Sequence, residues 1–349
     1  MTCYHPKTAF IIGKTADGKK KLKFVPNGTT FVMRGRNEWI VADWPLPEVR
    51  DPDFKYFTEK VQVPCRQCLG CRFDYSAEWA ARCMLEARYH ENNYFVTLTY
   101  DDDHIPFKVD PVTGETTGNY SLCKRDFQLF MKRLRKAFPD NVIRYFCAGE
   151  YGSSTFRPHY HVILFGMPDL SVFLDFYKIS EIKDMYYKLY TCRKISDIWQ
   201  NGFVTIGEVT WESCAYTARY ITKKLTGKAS AIYNELGIDP EFSLMSRRPG
   251  LARKYYEDHK EDINEYSYIS IDTLTGGRSF LPPKYYGRLF EAEAPDEYKL
   301  RQEKKAAIAE AKVLQKLSQT DQSYEDLLKS EEQVFKDKIK IFSRRNFYA

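Results

Sequence analysis

The chain has 349 residues, of which 43% are hydrophobic and 15% aromatic, enough for one large core or two modest ones. That composition excludes a disordered chain, and no stretch approaches the roughly 20 consecutive apolar residues that cross a bilayer. The net charge of +6 permits a polyanionic partner without demanding one. The opening Met1-Thr2-Cys3-Tyr4-His5-Pro6 carries no charged-then-apolar signal sequence, so a cytoplasmic location with no membrane partner is expected. Nine cysteines in a reducing compartment read as metal ligands or core thiols rather than as disulfides.

The first 75 residues are short strand-like runs broken by Gly, Pro and Asp. An amphipathic helix is predicted over residues 76–89, with Ser76 as its cap. Residues 94–100 are β-branched and aromatic and read as a strand. Over 122–138, Phe127, Phe130, Met131 and Leu134 recur at helical spacing, and Pro139 stops the helix. Its cluster Lys132-Arg133-Leu134-Arg135-Lys136 makes this helix the candidate for nucleic-acid backbone contacts.

Residues 142–149 and 159–166 read as a hairpin joined by a Gly/Ser/Pro loop. A helix over 182–200, a strand over 203–208 and a helix over 212–225 follow. The order β-α-β-β-α-β predicts an α+β fold: a split-βαβ, ferredoxin-like or RRM-like antiparallel sheet flanked by helices. The tail over 295–346, rich in Ala, Glu, Lys and Gln, reads as long helices that pack loosely or extend away. The expected division is an N-terminal cysteine-rich segment (1–90), a core (91–228), an accessory region (229–290) and a helical tail (291–349).

The chemistry gathers in two motifs. In Arg157-Pro158-His159-Tyr160-His161 the alternation of a strand turns His159 and His161 to one face, where two imidazoles can hold a divalent cation. Glu150, across the hairpin, is the candidate third ligand. An isolated His-x-His is as often a pair of half-buried polar residues. In Tyr216-Thr217-Ala218-Arg219-Tyr220-Ile221-Thr222-Lys223-Lys224, the spacing i, i+4, i+8 puts Tyr216, Tyr220 and Lys224 on one helix face. Aromatics so spaced are more often core, but a tyrosine beside a metal can act as a nucleophile and a lysine one turn on can neutralise phosphate.

Cys65-Arg66-Gln67-Cys68-Leu69-Gly70-Cys71-Arg72 offers three thiols in seven residues, and Cys3 or His5 would complete a tetrahedron. Structural Zn2+ is the favoured occupant, with an iron–sulfur cluster as the alternative. Such a site would pin the N-terminal segment rather than do chemistry. Cys83, Cys123, Cys147, Cys192 and Cys214 read as interior residues.

These residues together resemble the His-hydrophobe-His (HUH) endonucleases, and within them the replication initiators of gokushovirus-type microviruses. Phe95-Val96-Thr97-Leu98-Thr99-Tyr100 is similar to the family's first motif, His159-Tyr160-His161 to its metal motif and Tyr216/Tyr220 to its paired tyrosines. The cysteine run and Phe242-Ser243-Leu244-Met245-Ser246-Arg247-Arg248-Pro249-Gly250 also look like those phage proteins. The resemblance covers roughly residues 1–290. It implies a metal-dependent enzyme, with Mg2+ or Mn2+ on Glu150, His159 and His161, that nicks and rejoins single-stranded DNA at the viral origin. The intermediate would be a covalent 5′-phosphotyrosine, and the partners would be origin DNA and the host's replication helicase and polymerase. Two rival readings stand beside it: an HUH transposase or relaxase, and a non-catalytic, zinc-stabilised nucleic-acid-binding module.

Overall fold

A computed structural model describes residues 3–343 except 17, 19, 111, 153–154, 183–184, 221–229, 267 and 274–275. Six strands come first: β1 (Lys7–Lys14), β2 (Lys20–Val25), β3 (Phe31–Arg34), β4 (Trp39–Ala42), β5 (Lys55–Phe57) and β6 (Lys60–Val63). Then follow α1 (Leu69–Ala87), β7 (Asn93–Tyr100), β8 (Phe107–Val109), β9 (Thr116–Tyr120) and α2 (Lys124–Ala137). The middle holds β10 (Arg144–Tyr151), β11 (Pro158–Phe165), β12 (Asp175–Ile182), β13 (Met185–Thr191), α3 (Arg193–Trp199), β14 (Gly202–Glu208) and α4 (Trp211–Tyr220). Last come α5 (Ala231–Glu235), β15 (Phe242–Met245), α6 (Arg253–Glu265), β16 (Ile269–Thr273), β17 (Gly276–Phe280), α7 (Lys284–Glu293), α8 (Pro295–Leu317) and α9 (Tyr324–Ser343). This is a mixed α+β chain whose sheets are antiparallel. No helix among the described residues is long and apolar enough to cross a membrane.

The chain forms two compact units. The first, Met1–Asp74 with Leu317–Asp337, contains two three-stranded sheets, ordered β2-β1-β6 and β4-β3-β5. Ala9, Phe10, Phe31 and Val32 are fully buried in it, as strand alternation requires of their inward positions.

The second unit, Tyr75–Lys316 with Lys338–Ala349, is built on a seven-stranded sheet ordered β12-β13-β14-β7-β11-β10-β15. On one sheet face Val96, Leu98, Tyr160, Val162 and Leu164 pack against Phe127, Phe130, Met131 and Leu134 of α2 and Ile195 and Trp199 of α3. On the other, Phe146, Ile163 and Phe165 pack against Trp79 and Cys83 of α1, Trp211, Cys214 and Ala218 of α4, and Tyr256 of α6. Trp79 stacks on Phe146 with ring centroids 4.9 Å apart. The four residues predicted to form the apolar stripe of α2 are the four it buries.

Two helix predictions need correction. The stretch read as a helix over 182–200 is strand β13 followed by the short α3. Its Met185-Tyr186-Tyr187-Lys188-Leu189-Tyr190-Thr191 is rich in strand formers and pairs along β12, so cross-strand partners override a helical pattern. The helix read over 76–89 begins at Leu69, where the Arg72 N–H reaches the Cys68 carbonyl at 3.0 Å. Ser76 is therefore no cap but a mid-helix serine, tolerated because its hydroxyl donates to the Ala215 carbonyl at 3.3 Å.

Candidate active site

Thr210 and Ser213 start the helix that carries the tyrosines. The Thr210 N–H donates to Ser213 Oγ at 2.9 Å, and the Ser213 N–H donates to Thr210 Oγ1 at 3.2 Å. This reciprocal cap satisfies donors that the first turn leaves open and so fixes where α4 begins. Cys214 and Ala218 on its inner face are fully buried. Their burial sets the rotation of α4 and turns Tyr216 and Tyr220, one turn apart, toward β11.

The sheet supplies the ligand set. In the β10–β11 hairpin Glu150 lies directly opposite His159, and β7 places Thr97 directly opposite His161. Strand alternation brings His159 and His161 to the same face. One carboxylate oxygen of Glu150 lies 2.7 Å from His159 Nε2 and 3.0 Å from His161 Nε2. His159 Nδ1 donates to the Arg157 carbonyl at 3.1 Å, so the neutral ring keeps its Nε2 lone pair for the centre of the cluster. His161 Nδ1 shares a hydrogen bond of 3.1 Å with Thr97 Oγ1. A lone pair facing a carboxylate oxygen calls for a positive charge between them, and two nitrogens with one oxygen within 4.8 Å of one another suit a divalent cation. Glu150 and His161 are only 2% and 5% exposed, so neither charge is spread into bulk water. Burial alone would raise the Glu150 carboxyl, but the hydrogen bonds and charge of His159 and His161 outweigh it and bring it down to about 2.

Both tyrosine rings rest on this cluster. Tyr220 stacks on His161 at 4.6 Å between centroids, and Tyr216 meets the same ring edge-on at 5.0 Å. The two rings are 4.7 Å apart and perpendicular. Burial holds both phenols above their ordinary pKa; at Tyr220 the charges of Tyr216 and Glu150 and a hydrogen bond to Glu150 push the same way. At neutral pH they are therefore phenols, able to attack only if the proton is lost during the reaction. The Arg219 guanidinium lies 5.9 Å from the Tyr216 ring and is itself held below its usual pKa by burial.

Residues 93–225, which span this whole arrangement, match the family model described as Replication-associated protein of the ORF2 type. The chain is 37% identical over 290 residues to Replication-associated protein ORF2 of Spiroplasma virus 4, covering 81% of this chain and 85% of that one. This chain belongs to the replication-associated protein family of microviruses. It is also 29% identical over 261 residues (70% of this chain, 75% of the relative) to Replication-associated protein VP4 of Bdellovibrio phage phiMH2K. With Replication-associated protein ORF4 of Chlamydia phage 1 it shares 33% identity over 167 residues, 46% of this chain and 38% of that one. No solved structure matches.

In this family member the site recruits residues that sequence reasoning left without a role. Thr97 and Phe95 belong to the first motif: Thr97 bonds His161, and Phe95 lies parallel to the same ring at 5.9 Å. Tyr160, between the two histidines, points to the opposite sheet face. Its hydroxyl donates to the Cys123 carbonyl at 2.8 Å and accepts the Cys123 N–H at 3.2 Å, so a tyrosine fills that apolar position without an unpaired polar atom. The segment from Phe242 to Gly250 adds β15 beside β10 and bonds Arg144 through the Pro249 carbonyl, which is a structural role.

Lys224 lies outside the described residues. The basic helix α2 packs on the sheet face away from the histidines, and part of its charge serves the fold. Arg133 donates to the carbonyls of Ile198 and Trp199, each at 2.7 Å, and Arg135 to that of Ile143 at 3.1 Å.

In the first unit the structure brings Cys3, Cys65, Cys68 and Cys71 together, with their sulfurs within 4.8 Å of one another. His5, the other candidate for the fourth place, turns instead to Glu332, 2.9 Å away. Burial raises the Cys3 and Cys71 thiols. At Cys68 hydrogen bonds, chiefly from the Cys71 and Tyr4 N–H groups, overcome burial and bring the thiol down to about 7.

Proposed function

We propose that this protein starts rolling-circle replication as a metal-dependent endonuclease that nicks and rejoins single-stranded DNA at the viral origin. The observation that carries the reading is that both Tyr216 and Tyr220 rest on His161, the ring that shares the Glu150 carboxylate with His159. One tyrosine oxygen forms a bond to the scissile phosphorus as the bond from phosphorus to the 3′ oxygen breaks. The phenol proton passes, directly or through solvent, to the departing 3′ oxygen. The protein is left joined to the 5′ phosphate, and the phosphotyrosine keeps the energy of the broken bond for rejoining.

Mg2+ or Mn2+ held by Glu150, His159 and His161 would polarise the scissile phosphate and ease departure of the 3′ oxygen. The chain's own part is positional. Thr97 and the Arg157 carbonyl hold the two imidazoles in place, and α4 holds the phenols against them. Arg219 favours the developing phenolate on Tyr216, and Lys224, one turn beyond Tyr220, neutralises phosphate oxygens. The freed 3′ hydroxyl primes a host polymerase behind a host helicase, and the second tyrosine cuts the regenerated origin. The scaffold for this chemistry is a split-βαβ unit: β7-α2-β10-β11-α3-β14 along the chain, ordered β14-β7-β11-β10 across the sheet.

The test is incubation of the protein with origin-spanning single-stranded oligonucleotides and Mn2+ or Mg2+, followed by a denaturing gel. A metal-dependent, protein-linked 5′ product is expected, and Tyr216→Phe and Tyr220→Phe show which residue attacks first. Binding without any adduct across the whole origin would favour the non-catalytic module instead. Cleavage of ends that are not a phage origin would favour a transposase or relaxase.

A further inference from the structure

We infer that Cys3, Cys65, Cys68 and Cys71 bind one Zn2+ ion, a structural metal site whose sulfur ligands differ in kind from the Glu150, His159 and His161 set. Zinc held by four thiolates at about 2.3 Å places neighbouring sulfurs about 3.8 Å apart. Cys3 Sγ and Cys68 Sγ are 4.0 Å apart, and no pair among the four exceeds 4.8 Å. A multi-iron cluster hangs its cysteines on separate irons and spreads them more widely, so the spacing favours a single ion over an iron–sulfur centre.

The backbone around the sulfurs is arranged for negative charge. The Cys65 N–H donates to Cys3 Sγ at 3.2 Å and the Tyr4 N–H to Cys68 Sγ at 3.4 Å. The N–H groups of Gln67 and Cys68 both donate to Cys65 Sγ, at 3.4 and 3.2 Å. Arg66, at φ +62°, makes the tight turn that aims two successive N–H groups back at Cys65. Amides converging on sulfur stabilise thiolate over thiol, and thiolate is the form that binds metal. Each thiol gives its proton to solvent as its sulfur bonds the ion.

The site also has something to hold. Cys3 joins the loop 65–71 across some sixty residues of chain, and its neighbours reach α9. His5 Nε2 pairs with Glu332 Oε2 at 2.9 Å, and Tyr4 and Phe73 both meet the Phe335 ring, at 6.0 and 5.1 Å between centroids. The apolar cluster at this place consists of Cys3, Tyr4 and Cys68, with Cys65, Cys71 and Phe335 packed against it. So small a cluster does not by itself offset the entropy of ordering three separate stretches of chain, and a bound metal does.

The test uses the full chain and two readouts: elemental analysis of the purified protein, and absorption after Co2+ replaces the native metal. The expected result is one Zn2+ per chain and a strong thiolate-to-cobalt charge-transfer band. Both persist in His161→Ala, and both disappear in Cys65→Ser and Cys68→Ser. Because a cysteine variant can lose its fold with its metal, the wild-type and His161→Ala cobalt spectra decide alone. Wild-type protein without a thiolate band, zinc that disappears with His161→Ala, or the visible absorption of an iron–sulfur centre would each overturn the inference.

Discussion

The two faces of strand β11 put side chains one residue apart to opposite uses. On one face Tyr160, Val162 and Leu164 are sealed beneath α2 and α3, and the single polar atom among them is spent on the Cys123 backbone. On the other, His159 and His161 aim nitrogen atoms at one shared carboxylate oxygen, under two tyrosine rings. The strand's period of two makes the division possible, since a residue's neighbours along the chain lie across the sheet from it. The polar atoms of the core face are closed on the protein itself, which yields stability. Those of the other face converge on one point, which suits a cation and a reacting phosphate.

If the division is real, damage to one face should cost stability and damage to the other should cost metal and DNA chemistry. Phe127→Ala, on the core face, is expected to lower stability by about 3–5 kcal/mol in a denaturant titration. A variant with an unchanged midpoint would mean that α2 is not packed as described. Thr97→Val, on the site face, leaves His161 Nδ1 without its partner and should weaken Mn2+ affinity by about 10- to 100-fold in calorimetry. The same variant should barely move the unfolding midpoint, and the reverse pattern would erase the division.

Smaller effects sharpen the comparison. Tyr160→Phe removes the hydroxyl that pairs with Cys123 and should cost about 1–3 kcal/mol of stability while cleavage per folded molecule stays near wild type. A loss of cleavage greater than the loss of folded protein would show that the faces are coupled. Thr210→Ala opens the cap of α4 and should cost about 1 kcal/mol, again read in a denaturant titration, with no change expected if the reciprocal bonds to Ser213 are absent in solution.

The sequence made the site's ligands legible because they obey local rules. His159 and His161 share a face by strand alternation, Tyr216 and Tyr220 share one by helical spacing, and Glu150 is placed by a short hairpin. The missed features depend on which distant segments pair. Thr97 meets His161 only through the β7–β11 register, which no local pattern specifies. β15 reads as loop until β10 offers it an edge, and the tyrosine-rich β13 reads as helix until β12 offers it a partner. The choice between Cys3 and His5 stayed open because some sixty residues separate them from the cysteine run, and the pull of Glu332 on His5 comes from the other end of the chain.

The central claim is that the site face of β11 performs strand transfer through Tyr216 and Tyr220. The most direct test measures adduct yield and unfolding midpoint together for wild type and for the double variant Tyr216→Phe, Tyr220→Phe. Loss of only two hydroxyls should leave a cooperatively folded protein that binds origin DNA and Mn2+ yet forms no covalent adduct. An adduct that persists in the folded double variant would place the nucleophile elsewhere and contradict the account.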